Sequence, residues 1–467
     1  MLTRDETAQP AQASAPLGHS RLRRWMVRRA RQLLLVVLIL ATGLLVVACG
    51  VAIRRATCLI GLPDVGDPFD VVAFRAFSVP EDQDAFVLLR QVTAKLLPLP
   101  DLPMLAQRAG PAVIWSQADP KLREWAEANH EALSLFQQGA ARPDGAASVF
   151  DPGRFRLEDL KLRRLAQLAL LDASRCEEQG DMAAAWDRYR AILRMKVHIM
   201  RRGTAFERYV TDLYCRGLQA RISAWTGDRR TQIASIRQAL NDIRACEPKA
   251  EWEVFSLKLD FLHMMFELDR PDGWVQHGDN EDRKIRLGDL QLPPDHEGSV
   301  YAARRFLIRE PERSRRVLRL VYANWLAHAE NSNPRNRKPA VRGTFRTGKQ
   351  DTTLSFYSVD PNAPGAAHVL SPDNLANWLV TTRDAKLLLF QWLWPAIRIS
   401  ERREHHALTI MLADELYHRE HGKLPPSEEV LVGPYLDHLP GDGSDELDDG
   451  SAQRVDDSRG LIPGESK

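Results

Sequence analysis

The sequence predicts a mainly α-helical protein: a single N-terminal transmembrane helix followed by a helical-hairpin domain, bundle or short solenoid-like, with a few short strands. Three observations lead there. Leu33 to Ile53 is an uncharged apolar run of 21 residues, and a bilayer core about 30 Å thick needs roughly 20 apolar helical residues to cross it. Gly180-Asp181 and Gly227-Asp228 lie 47 residues apart, each suited to end one helix and cap the next. The composition, 44% hydrophobic and 27% charged, is that of an ordinary globular domain.

Residues 1–32 read as a polar, disordered cytoplasmic tail with a basic flank. Arg21, Arg23, Arg24, Arg28, Arg29 and Arg31 precede the apolar run and only Arg54 and Arg55 follow it closely. Positive flanks stay on the cytoplasmic side, so residues 33–53 are expected to span the membrane with the large C-terminal part outside the cytoplasm. Trp25 suits headgroup level. Two alternatives stand beside a retained anchor. One is a cleaved signal peptide, although its apolar region is normally about 7–15 residues. The other is a lipoprotein signal, with Val46-Val47-Ala48-Cys49 as lipobox and Cys49 acylated.

Residues 54–80 read as a linker rich in Gly, Pro and Asp between Gly61 and Pro68, with a short strand at Phe69-Asp70-Val71-Val72-Ala73-Phe74. Ser78-Val79-Pro80-Glu81 has the form of a capping box and opens the helical region 81–268. Pro98 and Pro100 stop its first helix near Leu97. Asp119-Pro120 starts another, which Gly139 ends. Between Glu158 and Glu247 the offset of 47 also relates Leu171 to Leu218, Ala173 to Ala220, Arg190 to Arg237 and Leu193 to Leu240. That is the period of a two-helix solenoid, and the competing reading is an irregular bundle.

Residues 269–300 read as loop. In 301–421, Glu310-Pro311-Glu312 opens a helix through Trp325 and Leu326, Asn331 to Thr353 is a long polar loop, and Leu354 to Val359 is a strand. A helical stretch runs from Asp384 to His421. Its apolar part, Leu387 to Ile397, is too short to span a bilayer and reads as a core helix bent at Pro395. Residues 422–467 form a turn and an acidic tail.

Net charge is only +2, so bulk electrostatics does not point to nucleic acid, and an exported domain would not meet it. The charge is uneven, however. From Arg304 to Lys349 there are 13 Lys/Arg against three acids, and Asp437 to Lys467 is acidic. Arg315, Arg316, Arg319, Arg335, Arg337 and Lys338 form a candidate basic patch for an anionic lipid or wall polymer, with a solvated helix face as the plain alternative.

Catalytic motifs are incomplete. Gly343-Thr344-Phe345-Arg346-Thr347-Gly348-Lys349-Gln350 nearly matches the P-loop but ends in Gln where magnesium needs a hydroxyl. His418 and His421 lie i,i+3 on one helix face and are weak metal candidates; Glu415-x-x-His418 and Glu127-x-x-His130 occur about as often as chance allows. Of five cysteines, Cys176, Cys215 and Cys246 are distal, either buried thiols or a Cys176–Cys215 pair with one left over. No cofactor is expected.

Two resemblances follow from particular residues. Leu62-Pro63-Asp64-Val65-Gly66-Asp67-Pro68-Phe69-Asp70, with Ala85-Phe86-Val87-Leu88-Leu89-Arg90 and the turn at Gly180, resembles a group of uncharacterised membrane-anchored helical proteins of planctomycete-type bacteria, which implies no activity. Ala413 to Pro426, then Leu431, Tyr435-Leu436 and Leu439-Pro440-Gly441-Asp442, is similar to the C-terminal part of type II secretion pseudopilins. That implies a shared local fold; the aromatic-Gly turn of that family is missing here. The function expected is a membrane-tethered, non-enzymatic interaction or scaffold protein of the cell envelope with a protein partner. The alternatives are an accessory component of a secretion or pilus-like assembly, and a metal-dependent hydrolase using His418 and His421.

Overall fold

The computed structural model describes residues 18–100, 114–145, 161–215, 217–269, 286–287, 290–291, 309–330, 339–347, 350–359, 371–382 and 394–439. The chain divides into two compact units, residues 1–61 with 298–309 and the remainder, called the body below.

In the first unit, α1 runs from Gly18 to Thr57. Its stretch Trp25–Thr57, with a mean hydropathy of 2.9 over its most apolar 18 residues, is long and apolar enough to cross a membrane. At 1.5 Å per residue the uncharged run is about 32 Å long, close to a bilayer core. Hydroxyls inside it are satisfied locally: Thr42 Oγ1 donates to Leu38 O at 2.8 Å. Helix begins at Gly18, so the expected disorder of 1–32 does not hold for 18–32; residues 1–17 lie outside the described residues.

The body is mainly helical. Residues Phe69 to Phe74 do not form the expected strand; Val71–Arg75 is a short helix, α2. Asp70 decides this, because its carboxylate accepts from Ala73 N at 2.9 Å and caps the first turn. The next helix, α3 (Ala85–Lys95), is capped by Asp84 rather than by the expected Ser78 box, whose Pro80 carbonyl instead closes a turn with Gln83 and Asp84. Asp119 caps α4 (Pro120–Ala128) as the sequence suggests. The chain then bends at Asn129 into α5 (His130–Ala140), which passes Gly139 before ending. Gly139 is where α5 crosses α3: an added Cβ would sit 3.3 Å from Ala85 O and Leu88 Cβ.

The central hairpin pairs α6 (Leu162–Glu178) with α7 (Met182–Arg202). Gly180 turns it at φ +83°, a conformation that disfavours any side chain, and Asp181 accepts from Ala184 N at 2.9 Å. Leu165, Leu168, Ala169, Ala173, Ala185 and Tyr189 are fully buried along it. After α8 (Ala205–Tyr214), the second hairpin pairs α9 (Leu218–Gly227) with α10 (Ile233–Arg244). Here Asp228 turns back onto Arg230 N at 2.8 Å and does not cap α10. Stacked Trp186 and Trp225, 5.1 Å apart, join the two hairpins.

The long helix α11 (Ala250–Asp269) packs on α12 (Glu310–Ala329). Two short strands, β1 (Arg286–Leu287) and β2 (Leu290–Gln291), pair antiparallel, and where a polar loop is expected before residue 354, β3 (Pro339–Thr347) pairs antiparallel with β4 (Gln350–Tyr357). Asn324 clamps this hairpin to α12, donating to Tyr357 O at 2.7 Å and accepting from Tyr357 N at 3.0 Å. The helix α13 (Pro372–Thr381) packs on the same hairpin. Last, α14 (Trp394–His421) packs on α8, α9 and α10. Pro395 is its second residue, where no helical N–H is needed, and not a bend within it. The apolar residues 387–393, most of the loop 269–300 and the acidic tail from 440 lie outside the described residues.

Residues 54–80 are not a free linker. Leu62 is buried, and Arg316 donates to its carbonyl at 3.1 Å. Arg319 reaches Asp64 at 2.8 Å and Asp67 at 3.2 Å. Only Cys58 to Gly61 separates Thr57 from this staple.

Candidate functional site

An open groove of about 420 Å³ is lined by Phe69, Asp70, Ala73, Phe74, Phe77, Arg202, Glu251, Val254, Phe255 and Lys258. Three segments build it. Glu251, Val254, Phe255 and Lys258 are spaced i, i+3, i+4, i+7 and so share one face of α11. The capped α2 brings Ala73 and Phe74 opposite, with Phe69 and Phe77 at its two ends. Arg202, last residue of α7, enters from the third side.

The rings form a connected wall. Phe74 lies 4.9 Å from Phe255 and 5.4 Å from Phe69, and Phe77 lies 5.6 Å from Phe255. The Arg202 guanidinium sits 4.5 Å from the Phe77 centroid and 4.7 Å from Phe255. It also donates to Asp144 Oδ2 at 3.1 Å, while its Nε has no acceptor in the structure. Burial works against the charge on Asp144, but the Arg202 hydrogen bond, the Gly145 N–H and the charges of Arg202 and Arg201 outweigh it and hold the carboxyl below its usual range. Lys258 Nζ lies over Phe69 at 5.6 Å and reaches Glu330 at 3.2 Å. The groove therefore combines an aromatic floor with two cations and two carboxylates, Asp70 and Glu251, on its walls.

Between the helices lies a second charged group, largely shielded from solvent. Arg208 on α8 meets Glu401 on α14, with Nε to Oε1 at 2.9 Å and a second contact from Nη2 to Oε2, and Nη1 donates to Ser256 Oγ at 3.2 Å. Lys196 bridges Asp212, at 3.0 Å, and Glu404. Asp260 accepts from Ala205 N at 3.1 Å at the start of α8, and burial pushes its carboxyl far above its usual range. Burial also raises Glu207, despite the Thr204 hydrogen bonds of the α8 capping box. Two of the thiols are poor nucleophiles. Burial pushes Cys215, beside Lys196, up to about 12, and Cys246, which lies apart from the network near Asp242, up to about 11; all five cysteines are free. His198, lowered to about 4 by burial, is neutral. The ion pairs and hydrogen bonds of the network tie α8 to α7, α11 and α14 and so position these helices.

The residues singled out from sequence separate. Arg315 pairs with Glu312, Arg316 with Glu312 and Asp64, and Arg319 with Asp64 and Asp67, so these three guanidiniums hold the chain's own carboxylates. Arg335, Arg337 and Lys338 lie outside the described residues. His418 and His421 are exposed; His421 stacks on Tyr417 with centroids 4.2 Å apart, its Nδ1 3.1 Å from Tyr417 O. Glu415 of the Glu-x-x-His motif is taken by Arg419 at 2.6 Å. Among the described residues no three His, Cys, Asp or Glu side chains gather as a metal site. Gly343 to Thr347 and Gln350 lie in the β3–β4 hairpin, the wrong setting for a P-loop. The segment from Ala413 to Leu439 is the end of α14 followed by a turn: Gly422 ends α14 at φ +71°, and Tyr435 Oη donates to Glu420 Oε2 at 2.6 Å.

Sequence reasoning missed the groove because Phe69 to Phe74 looks like a strand. The signals that could have found it are the Asp70 cap and the 251-254-255-258 stripe. Comparison with family models, curated proteins and solved structures gives no match for this chain.

Proposed function

We propose that this protein is a single-pass membrane-tethered module of the cell envelope that acts by binding, with its N-terminus in the cytoplasm and its body outside. The observation that carries the reading is the aromatic groove, an open concave surface of ligand-site size that joins apolar walls to a few charged groups. The arginine-rich flank before the apolar run of α1 supports the orientation. Two experiments test it. A single Cys placed at Ser466, in a chain with its native cysteines replaced, should react with an impermeant maleimide before the inner membrane is lysed; reaction only after lysis reverses the orientation. A photoreactive residue at exposed Ala73 should give a discrete adduct in cells, and no adduct of any class overturns the groove as the working surface.

An accessory role in a secretion or pilus-like assembly is the second reading, supported by the ordered turn between Gly422 and Leu436. Co-purification with secretion components would favour it.

A further inference from the structure

We infer that the groove binds a zwitterionic aminophospholipid of the bilayer that holds the anchor, its phosphate at Arg202 and Lys258, its ammonium at Glu251, and the start of an acyl chain on the phenyl rings. The inference rests on the binding reading above and names the ligand of that site.

Three features argue for it. The first is charge complementarity. Two cations and two carboxylates line one small basin, which suits a headgroup carrying both signs better than a simple anion. Asp70 is committed to the α2 N-terminus, which leaves Glu251, exposed in the first turn of α11, to face an ammonium. Arg202 keeps 21% of its side chain exposed although Asp144 occupies one Nη, and Lys258 keeps 23% exposed although Glu330 lies 3.2 Å from its Nζ. A phosphate oxygen is the stronger kind of acceptor for such a group.

The second feature is apolar surface. Phe69, Phe74, Phe77, Val254 and Phe255 give a wall suited to methylenes. On the same short helix Val72 is 80% exposed, an apolar side chain left in contact with the surroundings beside the groove.

The third is chain length. Phe69 follows Thr57 by twelve residues. Fully extended, the five residues from Thr57 to Leu62 span no more than about 18 Å, and Leu62, Asp64 and Asp67 are then fixed to α12. One wall of the groove comes from residues 69–77, close in sequence to the anchor, and bilayer lipid is a ligand that a membrane-tethered chain meets at high local concentration.

The test uses the full chain in lipid nanodiscs containing phosphatidylethanolamine with a photoreactive group near the acyl carbonyl. Adducts mapped by mass spectrometry are expected on peptides carrying 69–77 and 251–258, besides those on α1. Ala73→Trp fills the groove from an exposed position and should lower the groove adducts about fivefold, while the α1 adducts, an internal control for insertion and folding, stay constant. Labelled phosphatidylglycerol of the same chain length should label the groove about fivefold less than phosphatidylethanolamine. Glu251→Lys, also at an exposed position, should reverse that preference. Adducts confined to α1, groove adducts indifferent to Ala73→Trp, or equal labelling by the two lipids each overturn the inference. A protein adduct at Ala73 in cells, with no lipid adduct in nanodiscs, removes the lipid and leaves the binding module standing.

Discussion

On the outer side of α12, Arg315, Arg316 and Arg319 hold Glu312, Asp64 and Asp67 in partly exposed pairs. Between α7, α8, α11 and α14, Lys196 and Arg208 meet Asp212, Glu401 and Glu404 almost out of reach of water, with Asp260 and Glu207 close by. The same residue types thus work under two dielectric regimes. At the surface, the Gly66 N–H and the charges of Arg319 and Arg316 outweigh the desolvation of Asp64 and keep its carboxyl below the ordinary range; Arg316 and Arg315 outweigh that of Glu312 in the same way. Inside, desolvation prevails and drives Asp260 and Glu207 upward. The surface group locates a segment at little cost, whereas the interior group fixes helix positions because an unpaired charge there is not tolerated.

The largest expected effect separates these regimes. Glu401→Ala strands Arg208 in the interior and should destabilise the body by about 3–5 kcal/mol, read by chemical denaturation of the full chain in micelles. Arg208→Met with Glu401→Leu should recover most of that loss; no recovery would mean that the pair itself, not the stranded charge, carries the energy.

The pH dependence should split in the same way. Asp260 and Glu207 have raised folded pKa values, because burial disfavours their charged forms. Their contribution is whole below the unfolded value near 4 and shrinks as pH rises above it, by up to about 1.4 kcal/mol per unit for each group until its folded pKa is passed. Asp64, Asp144 and Glu312 have lowered values, so their contribution is present above about 4 and is lost as pH falls through the lowered pKa. In a series of denaturation curves Asp260→Asn should flatten the alkaline side, and Asp64→Asn with Glu312→Gln should flatten the acid side.

Arg319→Ser should cost only about 0.5–1 kcal/mol and quicken proteolysis near residues 62–70; the cost should fade in molar salt, whereas that of Glu401→Ala should persist. The smallest effect belongs to His418→Ala with His421→Ala, within about 0.5 kcal/mol, since both side chains are exposed and only a Tyr417 stack is lost.

Local chemistry was legible in the sequence and distant pairing was not. The apolar run of α1, the Gly180-Asp181 turn and the Asp119-Pro120 start follow from neighbouring residues alone. Phe69 to Phe74 misleads because its Val and Phe residues favour a strand, while a five-residue helix capped by Asp70 wins through packing on α11. Arg316 and Arg319 look like a free basic surface because Asp64 stands some 250 residues earlier. The groove was hidden for the same reason: its walls come from residues 69–77, 202 and 251–258, and only the last group carries a helical period.

The staple at Leu62, Asp64 and Asp67 also has a mechanical consequence. Tension along the chain at Cys58 finds only four residues of slack before it meets the Leu62 carbonyl on Arg316, then Asp64 and Asp67 on Arg319. Arg316 and Arg319 lie one turn apart on α12, which packs along α11, so the pull is delivered to the side of two long helices and not to the end of a strand. A force-clamp experiment gripping the anchor should therefore record a short, early extension as the staple peels, well before the α6–α7 hairpin yields.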